Sequence, residues 1–160
     1  MCESEAMSEA PPSLRSAPPP PDLPGRLEAL GRRLGGREAG HRAALAGARA
    51  LVEQLHARVA VALERFHRVA AEAGAPHLRV EQSAVRIDDK HLRAVEFELS
   101  RGRHRAVVTA RSRGELTLVG PFHSGKAEGP CLSFPFDAGA EIDAALADFL
   151  ERFLEEAAAP

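Results

Sequence analysis

The sequence predicts an α+β fold with a long N-terminal helix, a four- to five-stranded antiparallel meander and a C-terminal amphipathic helix. Two changes of pattern predict it. Apolar residues recur at helical spacing over residues 24–74 and again over 138–157, whereas over residues 77–136 they alternate with polar ones. The 160 residues are one domain's length, so we expect these segments to share one core.

Residues 1–23 precede this domain and are predicted to be a disordered acidic tail. They hold six of the twelve prolines and few large apolar residues. Such a segment buries too little apolar surface to offset the entropy of ordering. An alternative interpretation makes residues 11–24 a polyproline ligand for the groove of a partner protein.

The helix over residues 24–74 has a coiled-coil pattern in its later part. Apolar residues there alternate at spacings of three and four over four heptads, and Gly74 followed by Pro76 ends the helix. The earlier part has leucines at similar spacing but also four glycines, so a kink or break is expected near Gly35 and Gly36. The main heptad positions are Leu45, Ala48, Val52, Leu55, Val59, Ala62, Phe66 and Val69.

The alternating segments over residues 77–136 are predicted strands joined by turns. Pro135 would remove a hydrogen-bond donor from the last strand, which places that strand at an edge of the sheet. One face of the sheet is apolar and needs a cover. The C-terminal helix supplies it, with Asp137 as a candidate N-cap and an apolar stripe of Ile142, Leu146, Phe149, Leu150, Phe153 and Leu154.

The long helix exceeds the sheet that would cover it. At about 1.5 Å per residue, residues 37–73 span roughly 55 Å, whereas five strands about 4.8 Å apart make a sheet about 24 Å wide. An uncovered apolar stripe is unusual on a monomer. We therefore predict a homodimer through the heptad positions from Leu45 to Val69, with antiparallel pairing preferred over parallel. The alternative is a monomer whose helix folds back at the glycines.

An arginine-rich region is the candidate contact for an anion or a partner. The sequence predicts that its arginines gather at one end of the sheet, where they would meet phosphate backbones or an acidic protein. The net charge of −2 and the absence of Tyr and Trp argue against nucleic acid. A protein partner is therefore the first interpretation and nucleic acid the alternative. The residues are Arg101, Arg103, Arg105, Arg111 and Arg113.

Two further motifs are weak. Residues 120–126 match G-x-x-x-x-G-K, but Ala127 replaces the Ser or Thr that would hold magnesium and a strand follows where a helix should begin. A hairpin loop is the favoured interpretation. Glu53 with His56, and Glu64 with His67, have the Glu-x-x-His spacing of di-iron bundles, but solvated helix flanks are favoured because the heptad places both glutamates outside the apolar seam.

These features predict a non-enzymatic, homodimeric adaptor or chaperone-like module whose sheet receives a partner protein on its polar face or edge strand. No residue combination indicates catalysis, a cofactor or a metal site, and the two cysteines, Cys2 and Cys131, do not suggest a disulfide framework. No apolar run reaches the length of a membrane span, and the acidic N terminus lacks a signal core. We expect a cytoplasmic protein without a membrane partner.

Overall fold

The computed structural model describes residue 19 and residues 22–89, 93–125 and 129–159. Nearly all of the predicted disordered tail lies outside the described residues. The predicted α+β class is confirmed, and the chain divides into two compact units, Met1–Gly36 and Arg37–Pro160. The elements are α1 (Leu23–Glu72), β1 (Glu81–Gln82), β2 (Arg86–Asp88), β3 (Ala94–Arg101), β4 (His104–Arg111), β5 (Glu115–His123), β6 (Cys131–Pro135) and α2 (Gly139–Ala158).

Helix α1 begins at a side-chain cap. The Gly25 backbone N–H donates to Asp22 Oδ1 at 3.0 Å, which satisfies one of the amides that a helix start leaves free. The helix then runs through Gly35 and Gly36. The predicted break near these glycines is therefore wrong. Each glycine destabilises the helix by about 1 kcal/mol relative to alanine, which is not enough to interrupt a 50-residue helix.

The end of α1 follows the prediction at Gly74. This glycine has a φ of +95°, and two backbone hydrogen bonds close the last turn, from Gly74 to the Ala71 carbonyl and from Ala75 to the Ala70 carbonyl. This pair is the Schellman motif, which needs a left-handed residue that glycine adopts without a Cβ clash.

Within the described residues, the sheet is antiparallel and has six strands in the order β1-β3-β4-β5-β6, with β2 pairing to β3 beside β1. Strands β1 and β2 are two short pieces along the same edge of β3. Strand β6 pairs with β5 and forms the other edge, so the edge position predicted from Pro135 is confirmed. The inward face is lined by Val95, Phe97, Leu99, Ala106, Val108, Ala110, Leu116 and Leu118, all buried.

A β-bulge interrupts the pairing of β4 with β5 between Arg105 and Val107. Gly120 lies opposite this point with a φ of +118°. A Cβ at this position would lie 2.9 Å from the Arg105 carbonyl oxygen. Only glycine therefore fits both the backbone conformation and the close approach of β4.

Both helices contribute to the core above the inward face. Ile142, Leu146, Phe149 and Phe153 of α2 are buried in the same cluster as the sheet residues, which agrees with the predicted stripe. The N-cap residue of α2 is Ala138, without a side-chain hydrogen bond, so the prediction of Asp137 as the cap is wrong.

The same cluster holds residues that the sequence assigned to a dimer interface. Ala48, Val52, Leu55 and Val59 are buried within the core of their own chain, so they are not available to a second copy and this part of the predicted interface needs correction. Of the other predicted positions, Leu45 and Phe66 are half-buried, and Ala62 and Val69 are exposed.

The period of the helix accounts for the point where the buried stripe departs from the predicted heptad. A coiled coil repeats every 3.5 residues because it supercoils, whereas a straight helix drifts away from that repeat. The buried set here ends at Leu63 rather than Ala62, so the spacing from Val52 to Leu63 is eleven residues over three turns. The apolar stripe that the sequence assigned to a coiled coil covers the protein's own sheet.

Candidate interaction surfaces

Four leucines form an exposed stripe in the first unit. Leu23, Leu27, Leu30 and Leu34, called here the leucine stripe, follow at spacings of four, three and four residues, which places them on one face of α1. Their exposed fractions lie between 37% and 69%. A helical face of this kind is the pattern of a helix that packs against another apolar surface.

Glycines border this stripe. Gly31 and Gly35 lie one turn apart on one flank, and a Cβ at either position would meet nothing within 4 Å. The opposite flank carries Arg26 and Arg33, seven residues apart. One flank is therefore open to close approach, and the other is positively charged.

A second apolar patch lies on α1 within the second unit. Val61 and Val69 are 52% and 56% exposed, and Val61 lines a shallow groove with Ala57, Arg58 and Ala62. The guanidinium of Arg58 binds Asp143 Oδ1 of α2 at 2.6 Å. This ion pair is half-exposed, so solvent screens it and it contributes little stability.

The predicted arginine cluster is divided between the two ends of β4. Arg101, Arg103 and Arg105 lie at the β3–β4 turn, whereas Arg111 and Arg113 lie at the β4–β5 turn. A strand of eight residues separates these turns by about 24 Å. The expectation of one cluster is wrong, because a hairpin places its two turns at opposite ends of the shared strand.

Charged side chains on the outward face of the sheet form ion pairs with one another. Arg86 binds Glu96 at 3.1 Å and Glu98 at 3.6 Å, and Glu98 binds Arg105 Nε at 3.1 Å. Arg105 Nη1 also donates to the carbonyls of Gly102 and His104. A ladder of alternating charges thus crosses β2, β3 and β4, so these four side chains are already paired.

The β3–β4 turn borders a polar concavity of about 210 Å³. The residues around it come from the start of β1 and the segment before it, and from the facing ends of β3 and β4. We call it the arginine pocket, and its lining residues are Arg79, Glu81, Ser100, Arg101, Gly102 and Arg105. Sequence reasoning missed Arg79, because only the antiparallel pairing of Glu81 with Ser100 brings that segment beside Arg101.

Edge strand β6 offers a different surface. Its Leu132 is exposed although it pairs with the buried Leu118. Beside it, Leu118, Leu132 and Phe149 line a mostly apolar groove of about 190 Å³ between β6 and α2. An edge strand next to such a groove presents unpaired backbone groups together with a pocket for an apolar side chain.

The two Glu-x-x-His pairs have structural roles at their histidines. His56 Nε2 lies 2.9 Å from the Ser83 carbonyl oxygen, which accepts its hydrogen bond, and its ring is perpendicular to the Phe97 ring at a centroid distance of 5.0 Å. The Val80 backbone N–H donates to His67 Nε2 at 3.0 Å.

Glu53, of the first Glu-x-x-His pair, forms an ion pair with Arg49 at 2.8 Å. The described residues include no group of three or more His, Cys, Asp or Glu side chains arranged to hold a metal ion. In the G-x-x-x-x-G-K segment, residues 126–128 lie outside the described residues, and Gly120 to Ser124 belong to β5 and the turn after it.

The environment of His67 shifts its titration. Burial, and then the positive charge of Arg79, lower the pKa of His67 below its usual 6.5. The neutral ring is also the form that accepts the Val80 hydrogen bond. His67 therefore joins α1 to the segment before β1 in its uncharged state.

Comparison with protein-family models, with curated proteins and with solved structures finds no match for this chain. The interpretation of its surfaces therefore depends on their geometry and chemistry. Among the described residues, no helix combines the length and the apolar character needed to cross a bilayer.

Proposed function

We propose that this protein is a non-enzymatic, homodimeric protein-binding module of the cytoplasm, in which two copies pair through the leucine stripe of α1. The observation that carries the proposal is the exposure of four regularly spaced leucines on one helical face. A glycine-rich helix of this length is marginal in water without packing partners. A second copy, which presents the same stripe, covers it by symmetry.

The expected strength of the dimer follows from the exposed area. The four leucines together expose about as much as two whole leucine residues per chain. Full burial of a leucine is worth about 1.5–3 kcal/mol, so the two chains gain about 6–12 kcal/mol in gross terms. Association itself costs at least about 4 kcal/mol. We therefore expect a concentration-dependent dimer rather than a permanent one.

The flanks of the stripe favour parallel pairing over the antiparallel pairing that the sequence suggested. In an antiparallel pair, equivalent flanks face each other, which sets Arg26 and Arg33 against the same arginines of the second copy. In a parallel pair, the arginine flank of one helix faces the glycine flank of the other. Gly31 and Gly35 leave room there for the long arginine side chains.

The partner surface that the structure supports is the edge of β6. An extended segment of a partner protein would add as a strand to β6, with an apolar side chain in the groove beside Leu118 and Phe149. The outward face of the sheet is less suited to this role, because its Arg86, Glu98 and Arg105 already pair with one another.

The test of the dimer is the absolute mass of the full chain by light scattering across a hundredfold concentration range. Refractive-index detection is needed because the chain has no Trp or Tyr. We expect the mass to rise from one copy toward two, and Leu27→Asp with Leu34→Asp to hold it at one copy. Val61→Asp, at an equally exposed valine on the same helix, is the matched control and leaves the dimer intact.

Single cysteines determine the direction of pairing. Leu27→Cys or Leu34→Cys is placed in a chain whose Cys2 and Cys131 are replaced by serine. A parallel pair brings each new thiol opposite its own copy, so both variants form disulfide-linked dimers under mild oxidation. A mass of one copy at every concentration would reject the proposal, and cross-linking only in a mixture of the two variants would reject the parallel arrangement.

A further inference from the structure

The register of β5 against β6 determines which backbone groups of β6 face away from the sheet. The Gly120 N–H donates to the Pro130 carbonyl at 2.8 Å, and the same register continues without a shift to Pro135. Hydrogen-bonded and non-hydrogen-bonded pairs alternate along an antiparallel ladder, so the even-numbered residues of β6 bond to β5. The N–H and C=O groups of Cys131 and Ser133 therefore point outward from the edge.

These two residues set the length of the free edge. Within the described residues, the backbone groups of Cys131 and Ser133 have no hydrogen-bond partner on the outer side. Pro135, the next residue in an outward position, has no N–H, and its carbonyl accepts the Ala138 N–H at 3.1 Å. The edge thus presents two donors and two acceptors to a short added strand. Antiparallel addition is favoured, because parallel pairing is less stable per residue.

A groove beside this edge suits one apolar side chain. Leu132 pairs with Leu118 on the inward face of the sheet, yet it is 52% exposed. In an added strand, the residue between those that pair with Cys131 and Ser133 would lie opposite Leu132 and share its face. The groove there measures about 190 Å³, less than the roughly 300–1,000 Å³ of small-molecule pockets.

The side of the groove formed by α2 is acidic. Asp148 lines the groove, and Glu141 and Glu155 lie seven residues before and after it on the same helical face. These three residues, called here the acidic ridge, are exposed and have no ion pair within the described part of the chain. Arg152 also lines the groove, but it already binds Glu156 at 3.3 Å. The ridge therefore attracts positive charge.

We propose that β6 and α2 together bind a short basic segment of a partner protein in extended conformation. The segment adds to β6 as an antiparallel strand, places one apolar residue beside Leu132, and carries lysine or arginine two residues to either side of it. Side chains two residues apart share one face of a strand, so these cations lie on the side of the acidic ridge. This inference deepens the partner surface of the proposed function and rests on it, but it does not depend on the leucine stripe.

A second copy of this chain is a less suitable occupant of the edge. Residues 129–136 contain no lysine or arginine, so a second β6 offers nothing to the acidic ridge. Antiparallel pairing of two β6 strands would also place both copies of α2 on the same face of one joined sheet. Their like charges repel, whereas a basic segment is attracted by the ridge.

The probe is a capped synthetic peptide of sequence Ser-Lys-Thr-Ile-Thr-Lys-Ser, designed so that the two threonines pair with Cys131 and Ser133. It is titrated into the isotope-labelled full chain at low salt and followed by amide NMR. We expect saturable shifts centred on residues 131–133 and 148–152. Replacement of both lysines by glutamine should raise the dissociation constant at least about threefold, and high salt should reduce this difference.

N-methylation of the peptide tests the hydrogen bonds without any change to the protein. In antiparallel addition both threonine N–H groups face β6, so their methylation should abolish saturable binding. The isoleucine N–H faces solvent in this arrangement. Its methylation is the matched control and should change the dissociation constant by less than about twofold.

Two pairs of protein variants complete the test. Ser133→Pro removes an outward N–H and should raise the dissociation constant at least about threefold. Ser133→Ala keeps that N–H and is its control, since both variants lose the hydroxyl contact with Thr117 at 3.0 Å. Asp148→Asn should weaken the lysine peptide but not the glutamine peptide. Glu64→Gln, at an exposed and unpaired acid of α1 within the described residues, should weaken neither.

The outcomes separate this inference from the proposed function. Equal binding of the lysine and glutamine peptides, with shifts still centred on β6, would overturn the basic partner and leave the edge surface standing. If neither peptide gave saturable shifts at β6, the edge surface itself would be rejected. Loss of binding on isoleucine methylation alone would overturn antiparallel addition. Shifts at residues 131–133 that grow with protein concentration, without peptide, would show a second copy on the edge and also overturn the proposal.

Discussion

The two parts of α1 share an apolar pattern and differ in what surrounds it. Leu27 and Leu34 in the first unit are exposed, whereas Val52 and Val59 in the second are buried against the sheet and α2. Helical spacing determines which side chains share a face. It does not determine whether the same chain, a second copy or solvent meets that face.

The extent of the sheet sets where the buried part lies. Fully buried positions on α1 run from Ala48 to Leu63, fifteen residues that span about 23 Å, comparable with the width of five strands at about 4.8 Å each. Leu27 and Leu34, which lie outside that stretch, are exposed. The predictions below test that difference, from the largest expected effect to the smallest.

The largest expected difference in stability is between an aspartate placed in the buried part of α1 and an aspartate placed in the leucine stripe. Val59 is 1% exposed, so Val59→Asp buries a carboxylate without a partner and should cost more than about 4 kcal/mol, a large share of the roughly 5–15 kcal/mol stability of an ordinary domain. Leu34→Asp should change the stability of the monomer by less than about 0.5 kcal/mol. Urea unfolding followed by circular dichroism at low protein concentration measures both.

This pair also separates folding from association. A Val59→Asp chain with the same urea midpoint as the native chain would contradict the packing of α1 on the sheet. A large loss of monomer stability in Leu34→Asp would show that the leucine stripe is covered within a single chain.

A smaller contrast tests the period of the buried stripe. Leu63→Ala removes a core side chain and should destabilise the chain by about 2–5 kcal/mol. Ala62→Gln, one residue earlier, should change stability by less than about 0.5 kcal/mol, because Ala62 is exposed. If the two costs were reversed, the heptad assignment would be right and the straight-helix packing wrong. Chemical denaturation midpoints at a common slope provide the measurement.

The smallest effect is a pH dependence at His67, one turn beyond the buried part of α1. The pKa of His67 is lower in the folded chain than its usual 6.5, so protonation favours the unfolded state. The stabilising contribution of neutral His67 is complete above pH 6.5 and is lost as the pH falls from 6.5 toward the lowered value.

Urea midpoints between pH 5 and 8 test this. The native chain should lose stability below pH 6.5, and His67→Gln should show a shallower slope there. His77→Gln is the control at an exposed histidine and should keep the native slope. An unchanged slope in His67→Gln would show that His67 titrates alike in the folded and unfolded states.

Much of the fold was predictable because its signals are local. The alternation of Val95, Phe97 and Leu99 indicated a half-buried strand without any knowledge of its neighbours, and Gly74 marked the end of α1 through its own backbone preference. The C-terminal stripe predicted α2 in the same way. Pro135 indicated an edge strand because it lacks a donor.

The surfaces were less predictable because they depend on pairing between distant segments. The separation of Arg101 from Arg113 follows from the length of β4, and the approach of Arg79 to Arg101 follows from the register of β1 against β3. Neither has a signature in composition or spacing. The Glu-x-x-His spacing was likewise uninformative, because His56 and His67 bind backbone groups of the segment from Val80 to Ser83.

The order of the elements along the chain has a consequence for biosynthesis. Helix α1 leaves the ribosome before its cover, which extends from β3 to α2. From Leu63 to Phe149 the ribosome must add 86 residues, which takes about 4 to 17 seconds at roughly 5–20 residues per second. During that interval the nascent chain displays the whole apolar face of α1, including Val52 and Val59, to chaperones and to neighbouring nascent chains.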